Sequence, residues 1–180
     1  MERLDPSMIS AGSAPADERP RPVAAILVGG AIAGALDISS AIGAWLPSGV
    51  SPARILQSVA GGVYGKATYE GGWRTAVIGL LCHFLIAFTA AAVFYLASRK
   101  LRFLTERPVV AGLLYGEAVF LFMNFVVLPL SAIGHRGHIS GWQSLVTGPV
   151  GHLVFVGLPI SLAVRRFATP PRPGENRVAA

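Results

Sequence analysis

Charged side chains are scarce in this chain. They make up 13% of its 180 residues against 53% apolar, and the mean hydropathy is +0.58. A soluble domain carries charge on about a quarter of its residues, so an ordinary water-soluble fold is excluded and a polytopic membrane protein is expected. Cysteine occurs once, as Cys82 within an apolar run. That excludes an intrachain disulfide and any thiolate cluster for zinc or iron–sulfur. Catalytic signatures are missing too: there is no phosphate-cradling glycine loop ending in lysine, no His-Glu-x-x-His, no nucleophile elbow and no Cys-x-x-Cys. Acidic residues number 9 against 15 Lys and Arg, for a net charge of +6. In a soluble chain that excess would suggest nucleic acid. Here the basic residues stand at the ends of apolar runs, where they serve as cytoplasmic anchors, so nucleic acid is rejected as a partner.

Long apolar runs are what the chain has in quantity. The clearest, at 74–98, carries His83 in its body and stops at Arg99 and Lys100. With those at 23–46, 108–133 and 145–164 it makes four spans, each long enough at about 1.5 Å per residue to cross a hydrocarbon core about 30 Å thick. The expected fold is therefore all-α, a four-transmembrane-helix bundle. Residues 47–73 are too polar and Gly-rich to span. Ser51 before Pro52 marks a helix start, and Ile55, Leu56, Val59 and Val63 then share a face, which predicts a short amphipathic interfacial helix. The stretch YGKATYE between two Gly-Gly pairs reads as a flexible turn, with Lys66 and Glu70 as a local ion pair. Pro129 is expected to kink or end the third span. The segments at 1–22 and 168–180 cannot bury a face and are expected to be disordered tails. The first apolar run lacks a basic start leading straight into it and a small-residue cleavage site, and so reads as a span, not a cleavable signal.

Orientation follows from the basic residues. Eleven of the 15 fall in the two tails and the turn after the second span, so both termini are expected to be cytoplasmic. Trp45, Trp73 and Trp142 then all sit at span ends on the opposite, outer side, as an aromatic belt requires.

Ionisable groups in hydrocarbon cost at least a few kcal/mol and normally turn toward one another. Here they are Asp37, His83, Glu117 and His152, with Asn124 as an uncharged companion. Counting about 1.5 Å per residue from the basic ends puts Asp37 and His83 at roughly 21 Å, His152 at roughly 18 Å, Glu117 at roughly 14 Å and Asn124 at roughly 24 Å. Groups from separate spans thus share a layer, the candidate ligand or proton pocket; Tyr115 is a further candidate nearby. Small residues at helical spacing let backbones approach. Gly30, Gly34, Gly112 and Gly116 are the expected packing positions, and Gly30 and Gly34 share a stripe with Asp37. The spacing of Gly30, Gly34 and Leu46-Pro47 recurs at Gly112, Gly116 and Leu128-Pro129, and Gly79-x-x-x-His83 recurs as Gly148-x-x-x-His152, as a duplicated helix pair would produce.

Three readings compete for the layer. It is interhelical polar glue in a structural or assembly subunit; or it is a proton or metal-ion site using His83, His152 and Asp37; or His83 and His152 hold a b-type haem for electron transfer. No span carries Glu-x-x-His, which discounts a carboxylate-bridged di-metal centre. His135 and His138 in the outer loop read as solvated residues. Four spans make a narrow bundle, so a homo-oligomer or membership of a larger membrane complex is expected, with the Gly-x-x-x-Gly faces of the first and third spans as contact surfaces.

The segments ILQSVAGGVYGKATYEGG, LLCHFLIAF, YGEAVFLFMNFVVLPLSAI and HLVFVGLPISL together resemble a pattern seen in small, uncharacterised four-span bacterial inner-membrane proteins. The resemblance covers residues 23–167. It implies the four-span fold and a bacterial inner-membrane location, and carries over no activity and no catalytic residue.

Overall fold

Hydrocarbon offers no partner to backbone N–H and C=O, so an apolar chain that crosses it satisfies those groups by coiling into helix. The computed structural model of the chain, which describes residues 20–135, 137 and 141–168, is all-helical, with no strand among the described residues. Both expected tails lie almost wholly outside the described residues. Four helices are long and apolar enough to cross a membrane, Pro22–Ser48, Gly72–Ser98, Pro108–Leu130 and Gly141–Phe167, the mark of a multi-pass membrane protein.

Helix α1 (Pro22–Trp45) opens on a proline, whose missing N–H is unneeded in the first turn. Helix α2 (Pro52–Tyr64) starts where Ser51 accepts from the Arg54 N–H at 3.3 Å. It buries Ile55, Gln57, Ala60 and Gly61, while Val63 stays exposed, so the buried face is rotated from the aliphatic one expected. Its backbone at Leu56 and Ala60 lies directly on Gly79 of α3 (Gly72–Ser98), where no Cβ would fit. The 65–70 corner is a tight 3₁₀ helix and not a flexible turn. Thr68, fully buried, donates to the Gln57 carbonyl at 2.9 Å; Gln57 Nε2 reaches the Gly72 carbonyl at 2.8 Å; Thr75 Oγ1 donates to the Thr68 carbonyl at 2.6 Å. With three residues per turn, positions four apart no longer face each other, and Lys66 and Glu70 are exposed with no ion pair between them.

The basic turn after α3 contains one helical turn, α4 (Phe103–Glu106). Helix α5 (Pro108–Phe122) runs into a wider π-type stretch, Met123–Val127, then α6 (Leu128–Leu130). The widening comes just ahead of Pro129, whose ring cannot follow a regular turn and whose missing N–H leaves a carbonyl unpaired. The third span accordingly ends at Leu130, short of 133. The fourth begins at Gly141, ahead of 145, as α7 (Gly141–Thr147), steps at Gly148 before Pro149, and continues as α8 (Pro149–Gly151), a second π-type stretch His152–Gly157, and α9 (Leu158–Ala168).

Side chains are sorted as lipid demands. The core is mostly small, with Ala25, Ala33, Ala91 and Ala111 packed around Phe94, Val156, Ile160 and Val164, while Leu81, Leu85, Leu114 and Leu130 point outward. Helix α1 packs between α3 and the fourth span, which packs in turn on α5. The Arg21 N–H donates to the Phe167 carbonyl at 2.6 Å, joining the start of α1 to the end of α9. That end of the bundle also carries Arg99, Lys100 and Arg165; Trp45, Trp73 and Trp142 all lie at the other.

Candidate functional site

Glycine sets how closely the spans approach. A Cβ on Gly34 would meet the Phe84 ring and Ala87, and one on Gly30 would meet Phe88, all on α3. A Cβ on Gly116 would meet the His152 carbonyl and Leu153, and one on Gly112 would meet Gly157 and Ser161, all on the fourth span. The two Gly-x-x-x-Gly faces are therefore filled inside the bundle and are not free to hold a second copy. The two helix pairs meet in similar register: Gly34 lies against Phe84, the residue after His83, and Gly116 against His152 and Leu153, while Gly30 lies against Phe88 and Gly112 against Gly157 and Ser161, one to two helical turns further on. The spacing echo in the sequence is in part an echo in packing, although His83 bonds across to α1 and His152 within its own span.

Helices α3 and α5 join through Tyr115, which donates to the Ala90 carbonyl at 2.7 Å and packs edge-on against Phe94 at 4.9 Å. Tyr115 is thus a tie beneath the site. Beyond it toward the tryptophan end lies a cavity of about 470 Å³, reaching from Ala33, Ala90 and Val156 up to Trp45, Leu128 and Ser144. Asp37, His83, Asn124 and His152 all line it. Two of them sit in or at the start of the π-type stretches: Asn124 is buried in one, and His152 opens the other. Such widened turns often mark functional positions.

The hydrogen bonds decide what each group offers. His83 Nε2 stands 2.8 Å from the Gly34 carbonyl. A carbonyl only accepts, so Nε2 carries the proton and, in the neutral ring, Nδ1 is left as an acceptor. His152 is the opposite case: Nδ1 donates to the Gly148 carbonyl at 2.9 Å, leaving Nε2 as the acceptor, with the ring edge-on to Phe120. Asn124 Oδ1 accepts from the Gly137 N–H at 2.8 Å, which holds Gly137 at the cavity wall. Asp37 has no hydrogen-bond donor for its carboxylate among the described residues, though it lies within electrostatic reach of His152 and His83.

Glu117 does not join this group. It is half-exposed on α5, outside the cavity lining, with no hydrogen bond or ion pair among the described residues. Depth alone does not bring it in: Asn124, seven residues on, lies in the π-type stretch, which departs from the α-helical phase that would put the two on one face. His135 is exposed and off the lining; His138 lies outside the described residues. Among the described residues no three His, Cys, Asp or Glu side chains stand close enough to hold a metal ion, so Asp37, His83 and His152 share a cavity without forming a ligand triad. A haem between the histidines fits poorly as well, because His83 has committed Nε2, the less hindered ring nitrogen, to Gly34.

These features define a class: a four-helix multi-pass membrane bundle with a mostly apolar cavity at its tryptophan end that carries a few polar groups. No family model matches the sequence, and no curated protein or solved structure is significantly similar to it.

Proposed function

We propose that this is a bacterial inner-membrane protein, cytoplasmic at both ends, whose cavity opens to the outer side and binds a proton or cation in a transport role or as a subunit of a larger membrane complex. The observation that carries the reading is the Asp37 carboxylate. It sits within a span, faces a cavity of about 470 Å³ and has no donor in the described protein. A carboxylate held in low dielectric takes up a proton or a counter-charge, and the two imidazoles that share its cavity make no contact pair with it. The basic residues clustered at one end of the bundle support the orientation, and the resemblance noted above supports the location.

The rival reading, polar glue in an assembly subunit, accounts for His83, whose bond to Gly34 joins α1 to α3. It does not account for His152, which bonds within its own helix, or for Asp37.

The test is a thermal-unfolding titration of the purified protein in nanodiscs with sodium, potassium, magnesium and ammonium salts and a series of organic ammonium salts. A ligand at a hundred times its Kd stabilises by about 2.7 kcal/mol. We expect a rise in unfolding temperature for at least one cation, lost in Asp37→Asn. Identical unfolding in all of them would overturn the reading.

A further inference from the structure

The size of the cavity and the chemistry of its wall say more than that a cation binds. A bare metal ion or proton fills almost nothing of about 470 Å³, which lies in the range of small organic ligands, about 300–1,000 Å³. Most of the wall is aliphatic or aromatic, including Ile86, Val119, Phe120 and Met123. Among the described residues Asp37 is the one carboxylate on it, and no described lysine or arginine lines it. The two histidines are biased the same way, whereas Asn124, its Oδ1 held by the Gly137 N–H, keeps a side-chain N–H donor. His83 and His152 have each given an N–H to a backbone carbonyl, so what remains for a ligand in the neutral rings is an acceptor nitrogen. Trp45 also lines it, and an indole ring is the kind of group that attracts a cation.

We infer that the cavity binds an organic amine: a protonated ammonium with N–H donors, directed to Asp37 and the acceptor nitrogens of His83 and His152, on a small apolar body that fills the rest of the space. This rests on the reading of the cavity as a cation site and narrows it to one ligand class. Donors distinguish a primary amine from a quaternary one, and the apolar wall distinguishes it from ammonium itself.

The probes are phenethylammonium, tetraethylammonium, ammonium, potassium and uncharged phenethyl alcohol, titrated calorimetrically into the full-length protein in nanodiscs. Phenethylammonium is expected to bind at least tenfold more tightly than any of the others. Asp37→Asn should weaken it by about ten- to a hundredfold, the cost of losing a hydrogen bond to a charged group. Glu117→Gln, outside the cavity, should leave it unchanged. If Asp37→Asn fails to fold, the ranking of the probes on the unsubstituted protein decides. Potassium or ammonium binding through Asp37 without phenethylammonium would overturn this inference and leave the cation reading standing. Equal binding of phenethyl alcohol would overturn it by showing a merely greasy cavity, and no binding of any charged probe would overturn it as well, the sodium and magnesium arms of the unfolding titration then deciding the cation reading.

Discussion

Replacing Gly116 with alanine tests the packing that holds the site together. The added Cβ would run into the His152 carbonyl, with the carbonyl carbon at 2.7 Å and Leu153 Cα at 2.8 Å. Comfortable carbon–carbon contact begins near 3.5 Å, so α5 and the fourth span would have to part by about 0.7 Å or more. All of these are backbone atoms, so no rotamer change relieves the overlap. Overpacking of this kind costs about 1–3 kcal/mol. The natural control is Gly43→Ala in α1, where an added Cβ meets nothing within 4 Å and alanine gains about 0.5–1 kcal/mol over glycine in a helix. Both variants carry the same propensity change, so the difference between them isolates the packing. Unfolding by a denaturing detergent, followed by circular dichroism in one micelle system, measures it. Gly116→Ala should be less stable than Gly43→Ala by about 1–3 kcal/mol. Two variants that unfold together would refute the close approach of the third and fourth spans, and with it the placement of His152.

Three further outcomes follow from individual contacts. Tyr115→Phe removes the hydroxyl donated to Ala90 but keeps the ring on Phe94; it should cost about 0.5–1.5 kcal/mol in the same unfolding assay, and no loss would deny that Tyr115 ties α3 to α5. Asn124→Leu strips the acceptor from the Gly137 N–H, so limited proteolysis should cut next to Gly137 faster than in the unsubstituted protein; an unchanged rate would mean that Gly137 is held by other contacts. Thr68→Val keeps the shape of a fully buried side chain while deleting its bond to Gln57, and should lower stability by about 1–3 kcal/mol; a neutral result would show the 65–70 corner to be held without it.

The spans were legible because 53% apolar content gathered into long runs leaves hydrocarbon as the only consistent surroundings. The Gly-x-x-x-Gly faces were legible as close contacts, but not their partners, since a stripe of small residues fits a neighbour in the same chain as well as one in another. Asp37, His83, Asn124 and His152 could be gathered from depth alone. Glu117 could not be separated from them, because the π-type stretch at Met123–Val127 breaks a phase that the sequence displays only as ordinary helix. The Gln57, Thr68 and Thr75 network went unread for a related reason: its members come from three elements and none is apolar. No apolar pattern marked Gln57, which stands off the aliphatic face of Ile55, Leu56, Val59 and Val63. The tautomers of the two histidines were beyond reach, since each depends on which carbonyl the fold brings to which nitrogen.

That last feature allows the most direct test of the claim that the cavity presents acceptors around one carboxylate. Nitrogen-15 NMR of histidine-labelled protein in bilayers, with His83→Gln and His152→Gln to assign the signals, reports which ring nitrogen holds the proton. Near neutral pH, His83 should be protonated at Nε2 and His152 at Nδ1, opposite tautomers, with phenethylammonium shifting only the unprotonated nitrogen of each. Matching tautomers, or shifts confined to the protonated nitrogens, would contradict the account.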